Sequence, residues 1–210
     1  PWHDVRARLG AVRDTPSRMP TWIRDLSWVV IAVGITLLMQ PGWMNLAAAG
    51  CAALLVVGVV RLSRRSRAVA SLLPALAAFV ACVLVLLVAE AGWLDGGALR
   101  TVFPAIAILL PGGLLLIGVS ELVAAQMVAG TARLGFALVQ LAMAACGILV
   151  AVQLLQPDPA LLANVRIDQL GFIGPILGVL LVGAGIVITE AVDLRMRPWI
   201  WRFLAATGAA

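Results

Sequence analysis

Residues 26–60 read LSWVVIAVGITLLMQPGWMNLAAAGCAALLVVGVV and contain no charged side chain over 35 positions. A helix needs about 20 apolar residues to cross the hydrocarbon core of a bilayer, so this stretch is too long for one span. Gln40, Pro41 and Gly42 lie near its middle and are typical turn residues. The stretch therefore predicts two membrane-spanning helices joined by a tight turn.

Further apolar stretches continue this pattern on the C-terminal side. The chain is 63% hydrophobic and only 12% charged, with a mean hydropathy of +1.08, whereas soluble domains are about one quarter charged. This composition excludes a soluble globular enzyme and predicts an all-α, polytopic helical bundle with about six transmembrane helices. The four later spans are predicted at Ala68–Ala89, Thr101–Ser120, Leu134–Pro157 and Gln169–Thr189.

The arginines predict the orientation of these spans, because short loops rich in Arg or Lys stay in the cytoplasm. Arg100 and Arg166 lie on one side of the predicted topology, and the other arginines lie on the opposite side. Both ends are therefore predicted to be cytoplasmic. The cytoplasmic set is Arg6, Arg8, Arg13, Arg18, Arg24, Arg61, Arg64, Arg65, Arg67, Arg133, Arg195, Arg197 and Arg202.

The same pattern predicts the division of the chain. Residues 1–25 are expected to be a cytoplasmic segment that ends a longer upstream region, and residues 26–157 a five-span unit. Residues 169–210 are expected to begin a second, truncated membrane unit. Residues 26–35 and 177–186 are similar, and a second copy that follows five spans would be inverted, as in many alternating-access transporters.

The fourth predicted span is interrupted by Pro111, Gly112 and Gly113. Proline removes a backbone donor, and the freed groups must be satisfied by protein or water. In many transporters the substrate binds where a membrane helix is broken. The alternative is a proline kink that is merely packed between helices.

An acid and a base follow within a largely apolar run, at Glu121 and Arg133. An ionisable group that faces the interior of a membrane bundle is costly and usually functional, so Glu121 is a candidate for proton coupling or for binding an ammonium group. Alternatively, Glu121 is a solvated residue at the end of the fourth span. Arg133 has a simpler explanation, since topology alone places an arginine there.

Taken in order, these features resemble the membrane domain of the threonine/serine exporter family over about residues 16–155. The most specific part runs from Pro111 through the acid to Gly130 and Arg133. Residues 118–121 depart from the family pattern, because the acid is kept and an expected amide is replaced. The resemblance implies a cytoplasmic region, a five-span unit and a second membrane unit. It also implies a location in the plasma (inner) membrane of a bacterium. The candidate substrate-binding or coupling residues are Pro111, Gly112, Gly113, Ser120, Glu121, Gly130, Thr131 and Arg133.

The predicted function is therefore a secondary transporter that exports threonine and serine, coupled to the proton gradient. No nucleotide-binding loop suggests ATP, and no cofactor, metal or nucleic acid is expected. An intramembrane enzyme would need a base at membrane depth, but the single histidine is His3. A non-transporting structural or assembly subunit is the alternative function. The expected partners are the amino acid, the lipid bilayer, and a second membrane unit or a second copy.

Overall fold

The computed structural model describes residues 21–39, 42–94, 97–162, 171 and 173–189. Within these ranges the regular structure is entirely helical, which confirms the all-α prediction. The helices are α1 (Thr21–Met39), α2 (Trp43–Ser63), α3 (Arg67–Ser71), α4 (Leu73–Glu90), α5 (Ala98–Ile106), α6 (Gly112–Val123), α7 (Met127–Leu155) and α8 (Ile173–Thr189), with a 3-10 turn at Ala107–Leu109.

Four of the described helices, α1, α2, α4 and α7, are long and apolar enough to cross a membrane. A fifth span results if α5, its 3-10 turn and α6 are counted as one bent crossing. The shorter α8 has 17 residues and occupies most of the sixth predicted span. The part of the predicted second membrane unit that follows Thr189 lies outside the described residues.

Two helices begin at least five residues earlier than the charge-free stretches predict. The first, α1, begins five residues before Leu26 and therefore contains Arg24 and Asp25. The other, α7, begins seven residues before Leu134 and contains Arg133. In both helices a charged side chain interrupts the apolar run but forms an ion pair with a neighbouring helix. A paired charge does not end a helix, so the length of the charge-free stretch underestimates the length of both helices.

Small and branched residues of α2, α4 and α5 form the core of the bundle. On α4, Ala78, Cys82 and Val85 are completely buried. The side-chain amide of Asn45 on α2 donates a hydrogen bond of 2.9 Å to the Thr101 hydroxyl on α5. Such bonds between helices satisfy polar groups that cannot reach water.

The first and last described helices, α1 and α8, pack closely and run in opposite directions. Ser27 of α1 lies 2.7 Å from Thr189 of α8, measured between the hydroxyl oxygens. Gly34, further along α1, contacts Gly178 near the start of α8. Glycine at these positions lets the two backbones approach, as is common for helices in membranes.

The α6 helix packs mainly against α7, and the opposite faces of both helices are apolar and exposed. Leu116, Val123 and Val128 are each more than 70% exposed. In a soluble protein such a surface would be an association site, but here it matches the composition of lipid-facing helices. The core and these exposed faces together describe a polytopic membrane bundle.

Candidate functional site

The predicted break in the fourth span is present at Leu110 and Pro111, where the axes of the flanking helices differ by 63°. Leu110 is extended, with φ −69° and ψ 133°, and Pro111 has φ −79° and ψ 43°. Proline cannot donate to the carbonyl of Ala107, and that oxygen instead accepts a hydrogen bond of 3.2 Å from the Leu110 amide. The tightened 3-10 turn before Pro111 thus satisfies part of the backbone that proline disrupts.

A cavity of about 390 Å³ lies beside this break, between α1, the 3-10 turn and α8. The turn contributes Ala107 and Ile108, so the broken helix itself forms part of the wall. The other lining residues are Trp28, Ile31 and Ile35 of α1, with Ile186 and Thr189 of α8.

Two kinds of polar group occur in this apolar wall. The Nε1 atom of Trp28 is buried and has no hydrogen-bond acceptor among the described residues. The Thr189 hydroxyl lies within 2.8 Å of the Gly185 carbonyl oxygen and is also close to the Ser27 hydroxyl. A buried indole donor usually has a partner, so Trp28 could donate to a polar group that enters the cavity.

The acid and base singled out in the sequence meet between α6 and α7. Glu121 lies in the last turn of α6 and Arg133 in the second turn of α7. The Arg133 Nε lies 3.1 Å from Oε2 of Glu121, whose side chain is 17% exposed. Arg133 is 45% exposed, so the pair lies at the edge of the contact between the two helices.

A tight turn positions this ion pair. The Gln126 amide donates to the Glu121 carbonyl at 2.8 Å, and the Ala125 amide donates to the Leu122 carbonyl at 3.0 Å. Ala125 has a positive φ of 61°, a conformation that glycine usually adopts where a helix ends in this pattern. The turn sends α7 back along α6, which brings Arg133 to Glu121.

Small residues keep the two helices close at this pair. Gly118 of α6 and Gly130 of α7 are both buried. A Cβ atom on Gly130 would lie 2.8 Å from the Gly118 carbonyl oxygen. The structure therefore gathers Glu121, Gly130 and Arg133 into one contact.

The remaining candidates lie elsewhere on α6 and α7. The Ser120 hydroxyl is exposed and donates to the Ile117 carbonyl of its own helix at 2.8 Å. The exposed Thr131 hydroxyl likewise donates to the Met127 carbonyl at 2.7 Å. Gly112 and Gly113 are exposed and have room for a side chain. With a rise of about 1.5 Å per residue, the break at Pro111 lies about 15 Å from Glu121 along α6.

Two further residues are notable in the structure but were not candidates in the sequence. Trp28 lines the cavity at the helix break. Asp25 was assigned to the segment before the first span, but it is buried within α1 and pairs with Arg61 of α2. The only available signal was that Asp25 directly precedes the longest charge-free stretch of the chain.

Comparison with known families agrees with the resemblance inferred from the residues. A family model described as "Putative threonine/serine exporter" matches residues 1–155. Neither a curated protein nor a solved structure matches the chain. The family match includes the break at Pro111, the Glu121–Arg133 pair and the whole of α7.

Proposed function

The chain belongs to the threonine/serine exporter family, and we propose that it is a secondary transporter that exports threonine and serine from the bacterial cytoplasm. The family supports the substrate class and the direction of transport. It also favours a transporter over an intramembrane enzyme. The observation that carries the proposal is the cavity of about 390 Å³ against the broken helix.

The size and lining of this cavity suit a small amino acid. Its volume lies within the range of about 300–1,000 Å³ that is typical of small-molecule sites. The isoleucine side chains can contact the threonine methyl group, and the Trp28 indole can donate to a carboxylate or hydroxyl oxygen. Threonine and serine would bind here with an oxygen accepting from the Trp28 indole and the ammonium group donating to the Thr189 hydroxyl, in an otherwise apolar cavity.

The helix break provides a hinge at the cavity. Because Ala107 and Ile108 line the cavity and α6 begins at Gly112, rotation about residues 110–111 would change the cavity wall. Exposed Gly112 and Gly113 present no side chain that would resist such a rotation. We assign to Pro111, Gly112 and Gly113 the role of allowing this movement during alternating access.

We assign proton coupling to Glu121. In its charged form this acid attracts Arg133 across the contact between α6 and α7. Protonation would remove that attraction and weaken the contact, so that α6 could move relative to α7. Gly118 and Gly130 keep the helices close while the pair is charged. The hydroxyl groups of Ser120 and Thr131 donate to carbonyl groups of their own helices. These two residues would therefore lie next to the Glu121–Arg133 pair without taking part in coupling.

We further propose that the end of the bundle that carries Arg61, Arg64, Arg65 and Arg67 faces the cytoplasm, in keeping with the positive-inside rule. Residues 26–157 would then form a five-span unit in the plasma membrane, and the segment from residue 169 would belong to a second unit. The antiparallel contact of α1 with α8 supports such an arrangement. The exposed faces of α6 and α7 would contact lipid, the second unit or another copy.

Export from intact cells tests this function. Cells that express the full-length protein are loaded with a threonine-containing dipeptide, and threonine efflux is measured with and without an uncoupler of the proton gradient. Efflux above the empty-vector control that the uncoupler abolishes is expected. If the protein reaches the membrane and efflux equals the control, the export proposal fails and a structural role takes its place.

A further inference from the structure

A polar pocket lies at the arginine-rich end of the bundle, around Asp25. The Asp25 side chain is 5% exposed, and its Oδ2 accepts a hydrogen bond of 2.8 Å from Arg61 Nε. The other carboxylate oxygen, Oδ1, is buried and has no hydrogen-bond partner among the described residues. A buried carboxylate oxygen without a donor is costly, so Oδ1 needs an N–H or O–H group that the described chain does not supply.

Two cavities share Asp25 as a lining residue. They have volumes of about 560 and 270 Å³, and both are lined by Asp25, Gly58 and Arg61. Arg64 and Arg65 line the larger cavity, whereas the smaller one is otherwise apolar. Gly58 leaves space here, because nothing beyond the neighbouring backbone of its own helix lies within 4 Å of the position that a Cβ would take.

Topology alone does not explain this arrangement. The positive-inside rule accounts for arginines at the end of α2, but it does not call for a buried acid within a membrane helix. Asp25 pairs with only one guanidinium, while the wall of the larger cavity contains three. Arg61 is 57% exposed and faces the same space. The pocket therefore offers one unsatisfied acceptor next to an excess of positive charge.

We propose that this pocket binds a zwitterion in which a primary ammonium group lies next to an anionic group. The ammonium would donate to Asp25 Oδ1, and the anionic group would bind the guanidinium groups of Arg61, Arg64 and Arg65. An α-amino acid has this chemistry, and so does the headgroup of phosphatidylethanolamine. For the amino acid, the inference rests on the proposed export function and makes the pocket a cytoplasmic loading site, separate from the cavity at the helix break.

Binding to the purified full-length protein tests the pocket. In nanodiscs of phosphatidylglycerol alone, radiolabelled threonine is titrated against the wild type, Asp25→Asn and the exposed-acid control Glu90→Gln. We expect affinity to fall about tenfold or more in Asp25→Asn and to be unchanged in Glu90→Gln. Threoninol lacks the carboxylate and N-acetylthreonine lacks the ammonium, so neither should compete with threonine for the part of the binding that Asp25→Asn removes.

A second set of nanodiscs distinguishes the two sources of the zwitterion. If the lipid headgroup is the ligand, phosphatidylethanolamine will raise the melting temperature of the wild type but not of Asp25→Asn. The proposal is supported if either threonine or phosphatidylethanolamine acts on the wild type and this effect is lost in Asp25→Asn. The proposal would be overturned if the wild type and Asp25→Asn respond equally to threonine and also respond equally to the lipid.

The double variant Asp25→Asn/Arg61→Gln separates binding from folding, because it leaves no unpaired charge at the former ion pair. If Asp25 serves only that ion pair, the folded double variant will bind threonine like the wild type, which would overturn the proposal.

Threonine efflux in cells is measured in parallel. Normal efflux by Asp25→Asn would overturn the loading site but leave the export function intact, whereas absence of wild-type efflux would count against the export function.

Discussion

Gly34 of α1 and Gly178 of α8 contact each other through their backbones, with no space for a side chain between them. A Cβ atom on Gly178 would lie 2.8 Å from the Gly34 carbonyl oxygen, and one on Gly34 would lie 3.0 Å from the Gly178 oxygen. This contact holds together two helices that are far apart in the sequence, and the same two helices form most of the cavity at the helix break.

Gly178→Ala should therefore separate α1 from α8. We expect the free energy of unfolding to fall by about 1–3 kcal/mol, because an added methyl group must displace backbone atoms. Gly135→Ala on α7 is the matched control, since nothing beyond the neighbouring backbone of its own helix lies within 4 Å of its Cβ position. Thermal unfolding in detergent measures both variants, and equal melting temperatures would contradict the close contact.

Pro111→Ala restores the backbone donor at the break. We expect the helix to straighten, with folding kept and threonine efflux reduced about tenfold, because the wall of the cavity depends on the bend. Pro74→Ala is the control, since Pro74 lies in the first turn of α4, where proline causes no break. Efflux by Pro111→Ala that matches both Pro74→Ala and the wild type would show that the break is only a kink.

Trp28→Phe removes the indole donor but keeps an aromatic ring in the cavity wall. If Nε1 binds an oxygen of threonine, the KM for transport should rise about tenfold, corresponding to one lost hydrogen bond. The exposed Trp93 provides the control, and Trp93→Phe should leave the KM unchanged. If Trp28→Phe and Trp93→Phe have the same KM, Trp28 does not take part in substrate binding.

Glu121→Gln keeps the shape of the side chain, but the glutamine amide cannot take up and release a proton as the carboxyl group can. We expect this variant to lose the dependence of threonine efflux on the proton gradient, while Glu90→Gln keeps it. The measurement is efflux at several external pH values with matched expression. Unchanged transport with unchanged pH dependence in Glu121→Gln would exclude the acid from the mechanism.

Much of the fold follows from local sequence. The turn between α1 and α2 is predicted by Gln40, Pro41 and Gly42, and the structure indeed ends α1 at Met39 and begins α2 at Trp43. Pro111 likewise predicts the break, because a missing backbone donor acts within one helical turn. These features depend on neighbouring residues, so composition and spacing suffice to find them.

The site was less predictable, because its contacts join distant parts of the chain. Glu121 and Arg133 were both singled out, but their pairing depends on the turn at Ala125. Asp25 was missed because its partner, Arg61, lies 36 residues away. A charge that is neutralised by another helix resembles a loop residue when only local hydropathy is considered.

Purified full-length protein in proteoliposomes gives the most direct test of export coupled to protons. Vesicles are loaded with radiolabelled threonine, a pH gradient is imposed in either direction, and movement of threonine across the membrane is followed over time. The account predicts that one direction of the gradient accelerates threonine movement and that an uncoupler abolishes this acceleration. Threonine movement that is no faster than in protein-free vesicles under either gradient would contradict it.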